Sequence, residues 1–209
     1  MAFIHTIPED KASPEVKKMY EENIAEMGYL PNYVQVFSLR PQVLEAWGNF
    51  LGTLHRDMDA RRYELVTLAA ARALGSTYCM LAHGSVMLKE LCSIEELTHI
   101  AQDYQSADLS PAEVAMMAFA ELIVRDATAV TQNDIDILRQ HGFSDAEIFD
   151  ITTTAAARCF LSKTVDALGA EPDENYLALD EKLRQALTVG RPISEMNHSD
   201  TTYRLIQGE

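Results

Sequence analysis

Apolar positions recur at helical spacing from one end of this chain to the other, and no segment sustains the two-residue alternation of a half-buried strand. Ser13-Pro14-Glu15 reads as a helix start, with a cap, proline at the first position and an acid in the first turn. Gly28 reads as its stop. Pro41 opens a second clear helix, with Val43, Leu44, Trp47, Phe50, Leu51 and Leu54 at helical intervals. Residues 60–74 form a helix rich in Ala and Leu, good formers that let a neighbour approach closely. Gly75 and Ser76 then supply a stop and a start, and the next helix runs from Ser76 to about Leu91. Capping boxes follow at Ser93–Glu96, Ser110–Glu113 and Ser144–Glu147.

Residues 150–168 carry Ile151, Ala155, Ala156, Phe160, Leu161, Val165 and Leu168, too broad an apolar face for a lone surface helix. That helix is predicted to pack centrally or against another subunit. After Gly190 the composition turns polar, through Arg191-Pro192-Ile193-Ser194 and Asn197-His198-Ser199-Asp200. Residues 1–189 therefore read as one all-α domain, and 190–209 as a polar tail or an arm laid on a neighbouring subunit. A search for repeats finds only a loose echo, an Ala-rich helix followed by a Cys-bearing one in each half, and the second lacks matching Glu and His.

Charge narrows the function classes. With 17 basic against 32 acidic residues the net charge is −15, and no Lys/Arg cluster offsets it. Such a surface repels phosphate backbones and anionic membranes, so neither nucleic acid nor membrane is an expected partner. No apolar run approaches the roughly 20 residues of a bilayer span. The N-terminus lacks a basic segment before an apolar one, so cytoplasmic residence is the expectation. There is no Gly-rich phosphate loop, and no organic cofactor is expected.

Three cysteines, Cys79, Cys92 and Cys159, are too few for a disulfide framework, and none forms a Cys-x-x-Cys pair. Cys92 and Cys159 sit in apolar helical surroundings and read as packed thiols. Cys79 differs in its company. His83 lies four residues on and Ser76 three residues back, so all three share one helix face. With Ser76 as N-cap, Cys79 is the third helical residue, where free amides and the dipole favour a thiolate. Glu64 lies on the preceding helix, twelve residues before Ser76. Cys79, His83 and Glu64 are also competent metal ligands, but no fourth ligand is evident and a metal site is not expected.

The stretch from Glu64 through Ser76-Thr77-Tyr78-Cys79-Met80-Leu81-Ala82-His83 resembles the carboxymuconolactone decarboxylase and alkylhydroperoxidase-D superfamily. That family's signature is a Glu on one helix and Cys-x-x-Cys-x-x-x-His at the start of the next. Glu64, Cys79 and His83 match, while Ser76 replaces the first Cys. Leu30-Pro31-Asn32-Tyr33, Arg40-Pro41, Arg62-Tyr63-Glu64-Leu65-Val66 and Asp166-Ala167-Leu168-Gly169 extend the likeness over roughly residues 14–175.

The resemblance implies an all-α, alkylhydroperoxidase-D-like helical bundle, assembled as a homo-oligomer. It implies an oxidoreductase that reduces a hydroperoxide, with Cys79 as nucleophile, His83 as acid and base, and Glu64 as proton relay. Ser76 can support the thiolate by a hydrogen bond but cannot close a disulfide, so the expected enzyme uses one cysteine and an external thiol reductant. Cys92 is thirteen residues on, roughly 20 Å along a straight helix at ~1.5 Å per residue. Two alternatives stand beside this reading. One is a decarboxylase-like enzyme acting on a lactone acid through Glu64 and His83; the other is a non-catalytic helical oligomer. Arg72, eight residues from Glu64, is expected to be an ion-pair partner rather than a substrate clamp.

Overall fold

The structure, a computed structural model, describes residues 2–193. Among them lie ten α-helices joined by short turns, and no strand. They are α1 (Pro14–Met27), α2 (Asn32–Val36), α3 (Pro41–Arg56), α4 (Ala60–Leu74), α5 (Thr77–Glu90), α6 (Ile94–Asp103), α7 (Pro111–Asp126), α8 (Gln132–Gln140), α9 (Asp145–Ala167) and α10 (Glu181–Leu187). The all-α fold follows the hydrophobic spacing of the sequence.

Helix α4 is the axis of the bundle. It packs against α5, α7 and α9, and Tyr63 through Ala71 are all buried. The run Ala69-Ala70-Ala71 has almost no side-chain bulk, so three helices can lie close around one. Helix α9, the long apolar helix of the sequence, packs centrally, with Ile148, Ile151, Ala155 and Val165 buried. Its Phe149 and Phe160 face outward, Phe160 stacking on Trp47 of α3 with ring centroids 5.1 Å apart.

Caps set the helix boundaries. Ser110 with Glu113 and Ser144 with Glu147 form both arms of a capping box. At Ser93 only one arm forms: Ser93 Oγ accepts from Glu96 N, while the Glu96 carboxylate instead meets Arg61 at 2.7 Å. Arg61 also binds Glu113 at 2.7 Å and donates to the Leu91 carbonyl, tying α4 to three neighbouring elements. A further box, Thr131 with Asp134, escapes the sequence reading because the acid is Asp rather than Glu or Gln. Among the described residues Arg72 makes no ion pair; it donates to the Ala101 carbonyl near the end of α6, where free carbonyls favour a cation.

The turn between α4 and α5 positions everything that follows. Gly75 ends α4 in the left-handed region (φ 67°), and Ser76 N donates to the Ala71 carbonyl at 2.9 Å. Chain entering the predicted tail is laid over this turn: Gly190 N donates to Thr77 Oγ1 at 2.8 Å. A Cβ on Gly190 would sit 1.9 Å from the Gly75 carbonyl oxygen, so the two glycines fix this approach together. The rest of the tail, 194–209, lies outside the described residues.

A side chain at Gly75 must adopt a conformation that costs an L-residue about 1–2 kcal/mol. Gly75→Ala is therefore expected to lower unfolding free energy by about 1 kcal/mol in urea titrations.

Candidate active site

Helices α4 and α5 bring Glu64 and His83 together. Glu64 is buried on α4, and its Oε2 lies 2.7 Å from His83 Nδ1. The other imidazole nitrogen, Nε2, lies 2.9 Å from Arg158 Nη1 of α9. Arginine can only donate. Nε2 must then be the acceptor, so Nδ1 carries the hydrogen and donates it to Glu64. The tautomer of His83 is set by its two neighbours.

Arg158 is almost completely buried. Its Nη2 donates to the Tyr63 hydroxyl, and its guanidinium carbon sits 5.2 Å from the centre of the Tyr63 ring. Its Nε has no hydrogen-bond partner among the described residues. A chain Glu64–His83–Arg158–Tyr63 thus begins and ends on α4, with one link each on α5 and α9.

Cys79 is the third residue of α5, as the spacing predicts, and Ser76 is the N-cap. Ser76 caps through its carbonyl, which accepts from Met80 N; its hydroxyl bonds no α5 amide. That hydroxyl is fully buried and lies within reach of both Cys79 and the Asp166 carboxyl, but makes no hydrogen bond of full geometry with either. The sulfur is held from the opposite side, where Ser162 Oγ of α9 donates to Sγ at 3.1 Å. No hydrogen bond joins Cys79 to His83 among the described residues.

Burial pushes the Cys79 thiol above its ordinary pKa, and the Ser162 and Ser76 hydroxyls and the Arg158 charge oppose that shift without overcoming it. The helix start alone does not make this sulfur a thiolate. Burial and the adjacent Arg158 cation also lower the pKa of His83, against the pull of Glu64. Cys92 and Cys159 are free thiols; burial pushes Cys92 up to about 11, and Cys159 Sγ points to the Ala155 carbonyl of its own helix.

Cys79, His83 and Arg158 line one cavity of about 720 Å3, roofed by α1 and α3 and walled by Tyr33, Trp47, Leu161 and Val165. Asp173, also on the cavity wall, ties the segment between α1 and α2 to α5. It is buried, and it accepts from Asn32 N at 2.8 Å, from Tyr29 and from Tyr78. Among the described residues no group of His, Cys, Asp and Glu has the arrangement of a metal site.

Of the residues singled out in the sequence, the structure brings Glu64 and His83 into contact and sets Cys79 on the same cavity with Ser76 near its sulfur; the sequence reading did not single out Arg158, Ser162 or Tyr63. A signal for two of them exists. Ile151, Ala155, Arg158, Ser162 and Val165 follow the 4-3-4-3 spacing of a buried helix stripe, so a charge and a hydroxyl occupy core positions. A buried arginine needs partners, and an imidazole and a phenol on other helices supply them.

A histidine whose folded pKa lies below its unfolded value of about 6.5 binds its proton more readily when unfolded. Stability contributed by neutral His83 is complete above that value and falls as pH drops through it. Between pH 7.5 and 5.5 the wild-type Tm is expected to fall more steeply than that of His83→Gln. Long-range 15N NMR at pH 6.5 should find His83 neutral with the hydrogen on Nδ1.

Residues 41–122, which hold Glu64, Ser76, Cys79 and His83, match the carboxymuconolactone decarboxylase family. The fold is similar to that of an uncharacterized peroxidase-related protein from Ralstonia eutropha JMP134 with an alkylhydroperoxidase AhpD core. The TM-score is 0.76 at 20% identity, over 91% of this chain and 98% of that one. A peroxidase-related protein from Silicibacter sp. TM1040 gives 0.73 at 21% identity, over 82% and 92%. A cysteine-to-alanine variant of the debrominase Bmp8, in complex with 2,3,4-tribromopyrrole, gives 0.72 at 16% identity, over 89% and 100%. No curated protein matches the chain. At these identities the structural likeness is one of fold. The chain is thus similar to the carboxymuconolactone decarboxylase family over residues 41–122, and its fold as a whole is alkylhydroperoxidase-D-like.

Proposed function

We propose that the protein is a one-cysteine, thiol-dependent hydroperoxide reductase acting through Cys79. The observation that carries this reading is the shared cavity: a sulfur and a Glu-oriented imidazole face one space, with a buried cation beside them. In the reaction the Cys79 proton passes to His83 Nε2, the nitrogen without hydrogen, as Arg158 yields it. Glu64 stabilises the imidazolium. The thiolate attacks the terminal peroxide oxygen, an S–O bond forms, the O–O bond breaks, and the alkoxide leaves with the proton from His83. Cys79 becomes a sulfenic acid and the substrate an alcohol.

Reduction then falls to an external thiol. It displaces water from the sulfenic acid to form a mixed disulfide, which a second thiol opens to restore Cys79. The free, separately packed state of Cys92 and Cys159 supports an external reductant over an internal one. Ser76, near the sulfur and without a full hydrogen bond, supports a role in steadying the thiolate.

A second reading draws on a different observation. The Glu64–His83–Arg158 chain is complete without sulfur, which favours general acid–base chemistry on a lactone acid. The two readings part at the thiol. Assembly as a homo-oligomer and cytoplasmic residence belong to the same proposal, and outward Phe50, Phe149 and Phe160 give an assembly apolar surface to bury. No described helix is long and apolar enough to cross a membrane.

Cys79→Ser is expected to cut thiol-dependent consumption of cumene hydroperoxide by roughly 10²-fold or more, with the fold retained by circular dichroism. Unchanged consumption overturns the thiol reading. If turnover of a lactone acid survives Cys79→Ser and collapses in His83→Gln, the acid–base reading stands instead. Ser76→Cys should let Cys79 close a disulfide after stoichiometric peroxide, detected as the loss of two titratable thiols.

A further inference from the structure

A buried guanidinium ordinarily sits against a carboxylate, because an isolated charge in the interior is strongly disfavoured. Arg158 breaks that habit. Its two engaged donors meet neutral acceptors, His83 Nε2 and the Tyr63 hydroxyl, and its third group, Nε, meets nothing. Among the described residues no carboxylate lies within ion-pair distance of it. Glu64 is the nearest negative charge along the hydrogen-bond chain, but it is held by Nδ1, across the imidazole ring from Arg158.

The surroundings say what kind of anion would suit Arg158. Arg158 lines the 720 Å3 cavity, whose walls beside it are apolar and aromatic: Trp47, Leu51, Leu161, Val165 and Val86. No carboxylate of the cavity wall turns to Arg158; Asp173 is held by Asn32, Tyr29 and Tyr78. At the mouth the charges are mainly acidic, with Glu15, Glu22, Glu26 and Glu45 against Lys18 and Lys89. An acidic mouth disfavours a ligand that carries several negative charges or leaves its charge outside. One negative charge carried inward to the guanidinium, on an otherwise apolar body, avoids both penalties.

We propose that the cavity takes an amphipathic monocarboxylate, an organic acid with an aliphatic or aromatic body, whose carboxylate pairs with Arg158 and whose body lies against Trp47, Leu161 and Val165. The proposal rests on the reading that this cavity is the substrate site, and it names the substrate class there: a hydroperoxide borne on an organic acid. Arg158 then sets specificity. A guanidinium holds a carboxylate by paired charge-assisted hydrogen bonds, which a neutral head group of the same size cannot match.

Trp47 is the chain's one tryptophan and lines the cavity, so its fluorescence reports occupancy directly. The wild-type protein is titrated with decanoate and with decanamide, equal in length but neutral, both below their aggregation concentrations. Decanoate is expected to bind at least about tenfold tighter, the scale of one charge-assisted contact. In Arg158→Gln the preference should shrink to within about twofold, while Arg158→Lys should keep part of it. Equal binding of acid and amide by the wild type, or no response to either, overturns the proposal. So does an acid preference that survives in a folded Arg158→Gln. Should Arg158→Gln fail to fold, the wild-type comparison decides alone. Repeating the titration in Cys79→Ser separates the two readings, because binding needs no turnover: an acid preference there stands even if hydroperoxide reduction fails, and its absence fails this inference alone.

Discussion

A carboxylate and a guanidinium share one imidazole in the interior of this bundle, and the arrangement of α4, α5 and α9 follows from that. Glu64 and Arg158 would each be costly to bury alone. With His83 between them, each has a hydrogen bond to a group that is neutral and polarised in the right sense: Nδ1–H toward the anion, the Nε2 lone pair toward the cation. The price of this economy is directional. The hydrogen bonds orient the His83 ring, and the same four residues of α9 that separate Arg158 from Ser162 bring a hydroxyl onto Cys79.

The helical bundle was legible in the chain because its determinants are local. Pro14, Pro41, Gly28, Gly75 and the serine caps act within a turn of where they stand, and α4 begins and ends where its pattern says. Glu64, Cys79 and His83 were legible for a related reason: they lie on consecutive helices joined by a two-residue turn, so sequence distance nearly decides spatial distance. Arg158 and Ser162 are 75 and 83 residues from their partners. Only the packing of α9 onto α4 brings them in, and an apolar count along 150–168 hides two polar residues on its buried stripe. The half-formed box at Ser93 failed for the same reason in reverse, a local rule overridden by Arg61 arriving from another helix.

Ser76 takes on a physical sense in this setting. The position is fully buried and faces both Cys79 and Asp166. A serine there puts a small polar atom beside the sulfur and offers no second thiol. The site then holds one buried sulfur near a helix start that lines the cavity, the Ser162 and Ser76 hydroxyls beside it, and a cation behind the neighbouring imidazole. Under the proposed thiol chemistry these groups favour a thiolate, and an oxidised Cys79 would be discharged from outside the chain.

Those stabilising groups do not prevail at Cys79, because desolvation outweighs them. The balance is nevertheless close in kind: two hydroxyls and one guanidinium act against burial. Arg158 is the only full positive charge among them, and His83 holds it at Nε2. Any anion that enters beside Arg158 therefore changes three things at once. It competes with His83 for the guanidinium, frees the one nitrogen able to take a proton, and alters the field at Cys79. Whether the sulfur or the imidazole does the chemistry, Arg158 is the residue through which an occupant of the cavity would be felt by both.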